Sequence, residues 1–286
     1  MAVIDFHTHV FSDAVATDRQ YYVDADPIFR DLYSDEKASI ATVDQLIGAM
    51  DQSGIERSVV CGFGWSTHSL CVEGNDAVID AVGRYPDRLI GLGTVVPGPD
   101  TNSLIAEIRR IKTAGLFGLG ELRPDGQGWL ELQSETLSKI SAEVRAQKFM
   151  LLFHTSEPLG HSYAGKERTT PERLAHFLQA LKGIPTVLAH AGGGYPFYAY
   201  MPEVAEDLAD VYVDTAALPF LYGPMVLDAL VAAHGPDRIL FGTDFPLVDH
   251  DRALRYIDDS GLNPDHKAKL IGGNAEALLS RLSTYR

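Results

Sequence analysis

Eight short apolar segments recur along the chain and constrain its fold more than any other feature. Most are rich in β-branched residues, and several are apolar on both faces, which is typical of parallel strands covered on each side. The segments are residues 2–7, 57–63, 89–96, 116–122, 149–154, 186–191, 211–216 and 238–244. The sequence therefore predicts eight buried strands.

Segments with helical periodicity and helix-capping residues separate these strands. Thr42 and Gln45 form a predicted capping box, residues 101–113 carry apolar side chains at helical spacing, and Thr170 precedes a proline suited to the first helical position. Strands that alternate with helices form right-handed βαβ units. Eight such units predict an α/β protein with a (β/α)8 TIM-barrel fold. No glycine-rich turn follows the first strand, which disfavours a doubly wound open sheet.

The chain length fits this fold without a second domain. A (β/α)8 barrel commonly needs about 250 residues, and the chain has 286, so we expect a single domain over residues 1–286. Long loops are predicted after strand one (11–41) and strand five (155–169). Both follow the carboxyl ends of strands, where barrel enzymes place their chemistry.

Composition and charge exclude several classes of protein. The net charge of −15 and the scattered basic residues argue against binding to nucleic acid. Cys61 and Cys71 are too few for a disulfide framework and indicate a reducing compartment. We find no signal peptide and no apolar run of about 18 residues, so we expect a cytoplasmic protein without a membrane span. A homodimer is the default expectation for a soluble oligomer.

Six polar side chains fall at the ends of predicted strands. Alternation along strand one turns both of its histidines to the barrel axis, and the carboxyl ends of barrel strands meet at one mouth. Imidazole and carboxylate groups together suit zinc, manganese or iron, and a site with an open position is catalytic. We therefore expect one or two divalent ions, zinc first, near His7, His9, Glu121, His154, His190 and Asp244.

Basic residues near the predicted mouth suggest an anionic small-molecule substrate, which charge-assisted hydrogen bonds would hold. Arg123 follows strand four, and His161 and Arg168 lie in the loop after strand five. We predict that these three bind substrate. The alternative for the loop residues is that they are ordinary solvated charges.

The motifs around these residues resemble the amidohydrolase superfamily over nearly the whole chain. They are IDFHTH, FHTSEP, LAHAGGG, LFGTDFP and GNAEALL. More narrowly, they resemble the amidohydrolase-related branch that includes aminocarboxymuconate-semialdehyde decarboxylase and aromatic-acid decarboxylases. The resemblance implies that the metal ligands are His7, His9, His154 and Asp244, and that His190 acts on substrate.

Glu121 is a departure from the pattern of the classical two-metal members, which have a carboxylated lysine at the end of strand four. TatD-like deoxyribonucleases have a metal-bridging glutamate there, whereas the decarboxylase-like branch needs no ligand at this position. Three interpretations of Glu121 remain open: a metal ligand, a group that supports the ligands, or a salt-bridge partner of Arg123.

The residue types favour a metal-dependent hydrolase acting on an ester, lactone or amide. A bound metal lowers the pKa of its water to about 7; Asp244 would take the proton of that water, and His190 would polarise a carbonyl oxygen or protonate a leaving group. The alternative is a metal-dependent, non-oxidative decarboxylase of an aromatic or unsaturated acid. A purely structural metal site is disfavoured, because such sites are closed by four ligands.

The role of Glu121 separates the two enzymatic interpretations. A metal-ligating Glu121 favours hydrolysis, because paired metals hold a water well. If Glu121 pairs with Arg123 beside a single metal, the decarboxylase is favoured.

Overall fold

The structure, a computed structural model, describes residues 2–284, and its eight strands form one parallel sheet in chain order. Met1, Tyr285 and Arg286, which the predicted domain of residues 1–286 includes, lie outside the described residues. The strands are β1 (Ile4–His9), β2 (Arg57–Cys61), β3 (Leu89–Gly93), β4 (Gly118–Leu122), β5 (Met150–Phe153), β6 (Thr186–Leu188), β7 (Val211–Asp214) and β8 (Ile239–Leu240).

Hydrogen bonds between the two ends of the sheet close it into a barrel. The Phe6 N–H donates to Phe241 O, and the His9 N–H donates to Phe245 O, both at 2.7 Å. These bonds join β1 to β8 and to the residues that follow it. The predicted (β/α)8 TIM-barrel fold is confirmed.

The predicted loop after β1 contains three short helices, α1 (Asp13–Thr17), α2 (Arg19–Ala25) and α3 (Pro27–Tyr33). The loop after β5 has no regular secondary structure between Phe153 and Pro171. The other α-helices are α4 (Val43–Ser53), α5 (His68–Arg84), α6 (Thr101–Thr113), α7 (Ser134–Ala146), α8 (Pro171–Gln179), α9 (Ala189–Gly192), α10 (Pro202–Asp207), α11 (Leu218–Leu221), α12 (Val226–His234), α13 (His250–Asp258), α14 (Pro264–Ala268) and α15 (Asn274–Thr284). Of these, α9 is a left-handed turn rather than a regular helix, because its residues from His190 onward have positive φ. Within residues 2–284, no helix combines the length and apolar character needed to cross a bilayer.

Apolar side chains form two main layers. The outer layer joins the strands to the surrounding helices, for example through Leu46 and Ile108. The inner layer fills the barrel with Phe6 and Leu152, and α15 adds Leu278 to it. This filling makes the barrel a packed core, so functional groups have room only at its ends.

Shifts in the strand register turn polar side chains into the barrel at β1 and β4. Between Asp5 and Thr8 three steps on β1 match two on β2, and the same mismatch occurs between Leu119 and Leu122 opposite β5. Each shift is a β-bulge, which re-aims the side chains that follow it. As a result Leu119 and Leu122 both face the outer layer, and Glu121 between them faces inward.

His234 makes the fold sensitive to acid. Its Nε2–H donates to Val211 O at 2.8 Å, and burial, helped by Arg238, lowers the pKa of His234 to about 4. The unfolded chain titrates near the ordinary value of about 6.5. Between about pH 6.5 and 4 the unfolded chain therefore binds a proton that the folded chain does not, and stability falls as pH falls, by about 1.4 kcal/mol per unit.

We expect His234→Gln to reduce this acid dependence by the contribution of His234, because the amide can still donate to Val211 O but does not titrate. Urea unfolding at neutral pH and at about pH 4.5 measures it. His176→Gln, at an exposed position on α8, is the matched control. An unchanged pH dependence in the His234 variant would contradict the assignment.

Candidate metal centre

The carboxyl ends of the strands bring together all six side chains that the sequence places there. They come from β1, from β4, from the first residue after β5 and from the turns after β6 and β8. All are buried except the last, whose side chain is 16% exposed. We call this group the histidine–carboxylate cluster; its members are His7, His9, Glu121, His154, His190 and Asp244.

One half of the cluster is built on β1. His7 Nε2 lies 3.1 Å from His9 Nε2. Glu121 Oε2 is 3.8 Å from the former nitrogen and 3.5 Å from the latter. Asp244 Oδ1 is 3.7 Å from His7 Nε2 and 3.3 Å from His9 Nε2. Two imidazole nitrogens thus face two carboxylate oxygens across a small space.

The other half of the cluster shares Glu121. His154 Nδ1 lies 3.0 Å from Glu121 Oε1, and His190 Nε2 lies 3.4 Å from the same oxygen. The two ring nitrogens are 3.2 Å apart. Glu121 therefore contacts all four histidines, with one oxygen toward each half.

Hydrogen bonds outside the cluster orient three of the four imidazoles. His7 Nδ1 lies 2.8 Å from Asp214 Oδ2, and His190 Nδ1–H donates to Ala216 O at 2.9 Å. His154 Nε2 lies 3.1 Å from the Ser156 hydroxyl. A bond to one ring nitrogen fixes the tautomer and directs the other nitrogen to a metal.

Left-handed backbone places the last two cluster members. His190 has φ 56° and Asp244 has φ 65°, a region that His, Asp and Asn enter more readily than other non-glycine residues. The His190 N–H donates to Asp214 Oδ1 at 2.9 Å, and the Asp244 N–H donates to His7 O at 2.9 Å. Both side chains thus reach the cluster from turns rather than from the strands themselves.

The donor set fits a divalent metal ion. Two ligand atoms bound about 2.1 Å from one ion lie about 3.0–3.4 Å apart at octahedral or tetrahedral angles. The closest contacts in both halves have this spacing. Two overlapping triads could each hold an ion: His7, His9 and Glu121, and Glu121, His154 and His190. Because they share Glu121, the distances suit one ion or two.

The two carboxylates are held ionised. Burial opposes charge on Glu121, but His7 and His154 outweigh it and hold the pKa of Glu121 well below its usual value. Burial likewise opposes charge on Asp244, and His9, His7 and His190 outweigh it and lower the pKa of Asp244 to about 2. A concentrated negative charge of this kind is stabilised further by a cation.

The surroundings shift the pKa values of the cluster histidines in opposite directions. Burial disfavours imidazolium at His7, yet Asp214, Cys61 and Glu121 raise the pKa of His7 well above its usual value. Against the same burial, Glu121 and Asp244 raise the pKa of His190 to about 9. At His154, burial and the charge of Arg123 together lower the pKa.

Arg123 lies beside the cluster but is bonded elsewhere. Its Nε–H donates to Glu167 Oε1 at 2.7 Å, and a terminal N–H donates to Gly165 O at 2.7 Å. Both partners are in the loop after β5. The interpretation of Glu121 as the salt-bridge partner of Arg123 is therefore wrong, because Glu167 takes that role and Glu121 faces the histidines.

The structure separates the other two predicted substrate-binding residues. His161 is exposed and lines a cavity formed by the loops after β5, β6 and β7. Arg168 has a side chain that is 82% exposed and bonds to Asp125. The structure does not bring Arg168 to the cluster, and substrate binding by Arg123 and His161 stays a prediction.

Sequence reasoning missed two residues that support the site. The Ser156 hydroxyl contacts His154 and accepts the Glu167 N–H at 3.0 Å, and Glu167 neutralises Arg123. The position of Ser156, two residues after a strand-end histidine, was the available signal for its role. Glu167 gave none, because it lies within an irregular loop between other charges.

Comparisons of sequence identify the family and two relatives. The family model described as Amidohydrolase matches residues 4–281. The 6-methylsalicylic acid decarboxylase of Penicillium expansum is 32% identical over an alignment of 124 residues, with 37% of this chain and 37% of the relative covered. The 6-methylsalicylic acid decarboxylase of Aspergillus aculeatus is 25% identical over 197 residues, 55% of this chain and 57% of the relative. The matches thus span about a third to a little over half of these relatives.

Comparisons of structure agree on the fold. The 5-carboxyvanillate decarboxylase of Sphingomonas paucimobilis has a TM-score of 0.76 at 19% identity, covering 96% of this chain and 98% of its own. A dihydroxybenzoic acid decarboxylase from Polaromonas, determined with bound manganese, has a TM-score of 0.70 at 19% identity, covering 100% and 98%. At this identity the likeness shows the fold alone. Because the family match spans almost the whole chain and the barrel agrees with it, this protein belongs to the amidohydrolase family.

Proposed function

We propose that this protein is a metal-dependent, non-oxidative decarboxylase of an aromatic carboxylic acid. The observation that carries the proposal is the sequence similarity to two 6-methylsalicylic acid decarboxylases. The barrel also resembles decarboxylases of carboxyvanillate and dihydroxybenzoate. The histidine–carboxylate cluster supports metal dependence, and the barrel of residues 1–286 would carry the reaction as one domain.

This proposal replaces the hydrolase that the sequence alone favours. A metal-ligating Glu121 was the feature expected to indicate hydrolysis, and Glu121 does face the histidines. However, the triads share Glu121 and suit one ion or two, so its position does not establish the paired metals on which that expectation depends. The similarity to the two relatives therefore supports the decarboxylase better than the hydrolase.

We assign the metal to His7, His9, His154 and Asp244, with Glu121 close enough to complete the set. The mixture of imidazole and carboxylate groups suits Mn²⁺ as well as the zinc that the sequence suggests first, and the neighbour with bound manganese supports Mn²⁺. When bound, the cation would supply positive charge that holds the substrate's anionic oxygens and stabilises the charge developing on them.

We assign proton delivery to His190 and Asp244. The Nδ1–H of His190 is bonded to Ala216 O, so its transferable proton is on Nε2, which faces the cluster. A pKa raised to about 9 keeps this proton in place at neutral pH. Asp244 is the cluster member most exposed at the mouth, which suits it to contact substrate and pass the proton on.

The proposed reaction balances without a redox partner. The bond between the ring carbon and the carboxylate carbon breaks, CO₂ leaves, and its bonding electrons stay on the ring. The same ring carbon then takes the proton from the His190–Asp244 pair and forms a C–H bond. Solvent returns a proton to the pair.

The test is an assay of CO₂ release in D₂O. We expect the metal-loaded enzyme to release CO₂ from at least one of 6-methylsalicylate, 2,6-dihydroxybenzoate and 5-carboxyvanillate. The phenolic product should carry one deuterium at the carbon that held the carboxylate. Lactones of similar size are the comparison set. Lactone hydrolysis without CO₂ release from any acid would overturn the proposal and restore the hydrolase.

A further inference from the structure

A cavity of about 370 Å³ lies beside the histidine–carboxylate cluster, between the loops after β5, β6 and β7. Small-molecule sites have volumes from about 300 Å³ upward. Aromatic side chains form much of its wall, and one carboxylate, that of Glu157, enters it. The residues relevant here are Glu157, Tyr163, Gly193, Gly194, Phe197 and Tyr222.

Two chain segments connect this cavity to the cluster. Ser156, whose hydroxyl lies 3.1 Å from His154 Nε2, directly precedes Glu157. Gly193, three residues after His190, packs on the Ser156 backbone so closely that a Cβ there would lie 2.7 Å from Ser156 O. Short stretches of chain thus join the wall of the cavity to two cluster histidines.

The left-handed turn after β6 shapes the cavity. His190 to Gly194 all have positive φ, which glycine tolerates without strain. At Gly194 a Cβ would lie 3.6 Å from Tyr222 Oη and 3.7 Å from the Phe197 ring. The missing side chain leaves the space between these two aromatic residues to a ligand ring.

Glu157 has spare hydrogen-bonding capacity. Its Oε2 accepts the Tyr163 hydroxyl at 3.2 Å. Its buried Oε1 has no partner that meets hydrogen-bond geometry among residues 2–284, although the Tyr222 hydroxyl also interacts with this carboxylate. Burial and the Glu157 charge together raise the pKa of Tyr163 to about 12, and they also raise that of Tyr222. Both hydroxyls stay protonated, so the carboxylate is the acceptor at this end of the cavity. A buried acceptor left unpaired is unfavourable.

The charges at the two ends of the cavity then determine the orientation of the bound acid. The Glu157 carboxylate repels the carboxylate of a substrate, whereas a cation bound at the cluster would attract it. The ring end remote from the departing CO₂ therefore faces Glu157.

Accepting the proposed decarboxylation, we infer that Glu157 is a specificity-determining residue that accepts a hydrogen bond from a hydroxyl or amino group on the substrate ring. Acids with a donor at that position are preferred over methoxy analogues, and a second carboxylate there is rejected. Tyr163 holds the carboxylate in place.

The experiment compares Glu157→Gln with the wild-type enzyme. Binding of 3-nitrophenol and of its methyl ether, 3-nitroanisole, is measured by calorimetry in the metal-loaded protein, at a mildly acidic pH that keeps the phenol protonated. The nitro group has the shape of a carboxylate but cannot leave as CO₂. We expect the wild type to prefer the phenol by about 10- to 100-fold, as for a hydrogen bond to a charged group, and the variant to lose most of that preference. Glu172→Gln, which makes the same change at an exposed position on α8, is the matched control and should retain it.

Turnover of matched hydroxy- and methoxybenzoates separates this inference from the proposed function. If the wild type releases CO₂ but the phenol preference is equal in wild type and Glu157→Gln, the inference is wrong and the decarboxylase stands. If no acid loses CO₂ while the preference still depends on Glu157, the decarboxylase is wrong and the binding role stands. If no acid loses CO₂ and the phenol preference does not depend on Glu157, both the decarboxylase and the binding role of Glu157 are wrong.

Discussion

Asp244→Asn is expected to lower kcat by about 10²- to 10⁴-fold, the range for loss of a positioned acid–base group. The side chain of Asp244 reaches both β1 histidines, at 3.3 and 3.7 Å, and is the cluster member most open to the mouth. Asparagine has nearly the same shape, but it neither carries the charge nor transfers the proton. Steady-state kinetics of CO₂ release with the metal-loaded enzyme measures the effect.

The backbone conformation at position 244 tolerates asparagine, so a loss of activity in this variant can be assigned to the side chain. Asp244 has φ 65°, and asparagine enters the left-handed region as readily as aspartate does, so the turn after β8 should keep its shape. Thermal unfolding should therefore show little loss of stability. Asp251→Asn, at an exposed position on the neighbouring α13, is the matched control and should keep wild-type kcat. A fall in kcat of less than about tenfold at position 244 would remove Asp244 from the acid–base role.

Removal of divalent metal by a chelator is expected to abolish activity, and metal added back should release protons as it binds. The pKa of His7 is raised well above its usual value, so at neutral pH His7 carries a proton that must leave before Nε2 can ligate. The apparent affinity should therefore fall as pH falls, by about tenfold per unit for each proton displaced. The dependence should level off above the pKa of His7.

Calorimetric metal titrations in buffers with different protonation enthalpies measure the number of protons released. Asp214→Asn should reduce that number, because Asp214 is the group that most raises the pKa of His7, and it should weaken binding about 10- to 100-fold. His176→Ala, at an exposed position outside the cluster, should leave both quantities unchanged. Metal binding without proton release at neutral pH would contradict the proposed ligand role of His7.

The fold could be predicted from the sequence because each strand is an apolar run bounded by helix signals. The predicted segment 57–63 contains β2 (Arg57–Cys61), and segment 116–122 contains β4 (Gly118–Leu122). The helices α1 to α3 were not predicted, since segments of 5 or 7 residues are too short to show a helical period.

The candidate site could be predicted only in part. Strand-end position identified the six cluster residues, yet the geometry depends on features that residue patterns do not encode. A register shift determines that the Glu121 side chain faces into the barrel, and left-handed turns bring the side chains of His190 and Asp244 to the cluster. Arg168 is close in sequence to His154, but the fold does not bring it to the cluster. Its side chain bonds to Asp125 on the surface.

The bonds around Arg123 have a consequence for how a ligand enters and leaves. Arg123 binds Glu167 and the carbonyl of Gly165, and the N–H of Gly165 in turn donates to Asp31 of α3 at 2.7 Å. These hydrogen bonds connect the segments that follow β1 and β5 to the end of β4. If either segment moves to open the entrance, the other segment must move with it, or these hydrogen bonds, which are largely shielded from solvent, must break. We therefore expect any opening of the mouth to involve both segments together, although the residues in contact are more than a hundred positions apart in sequence.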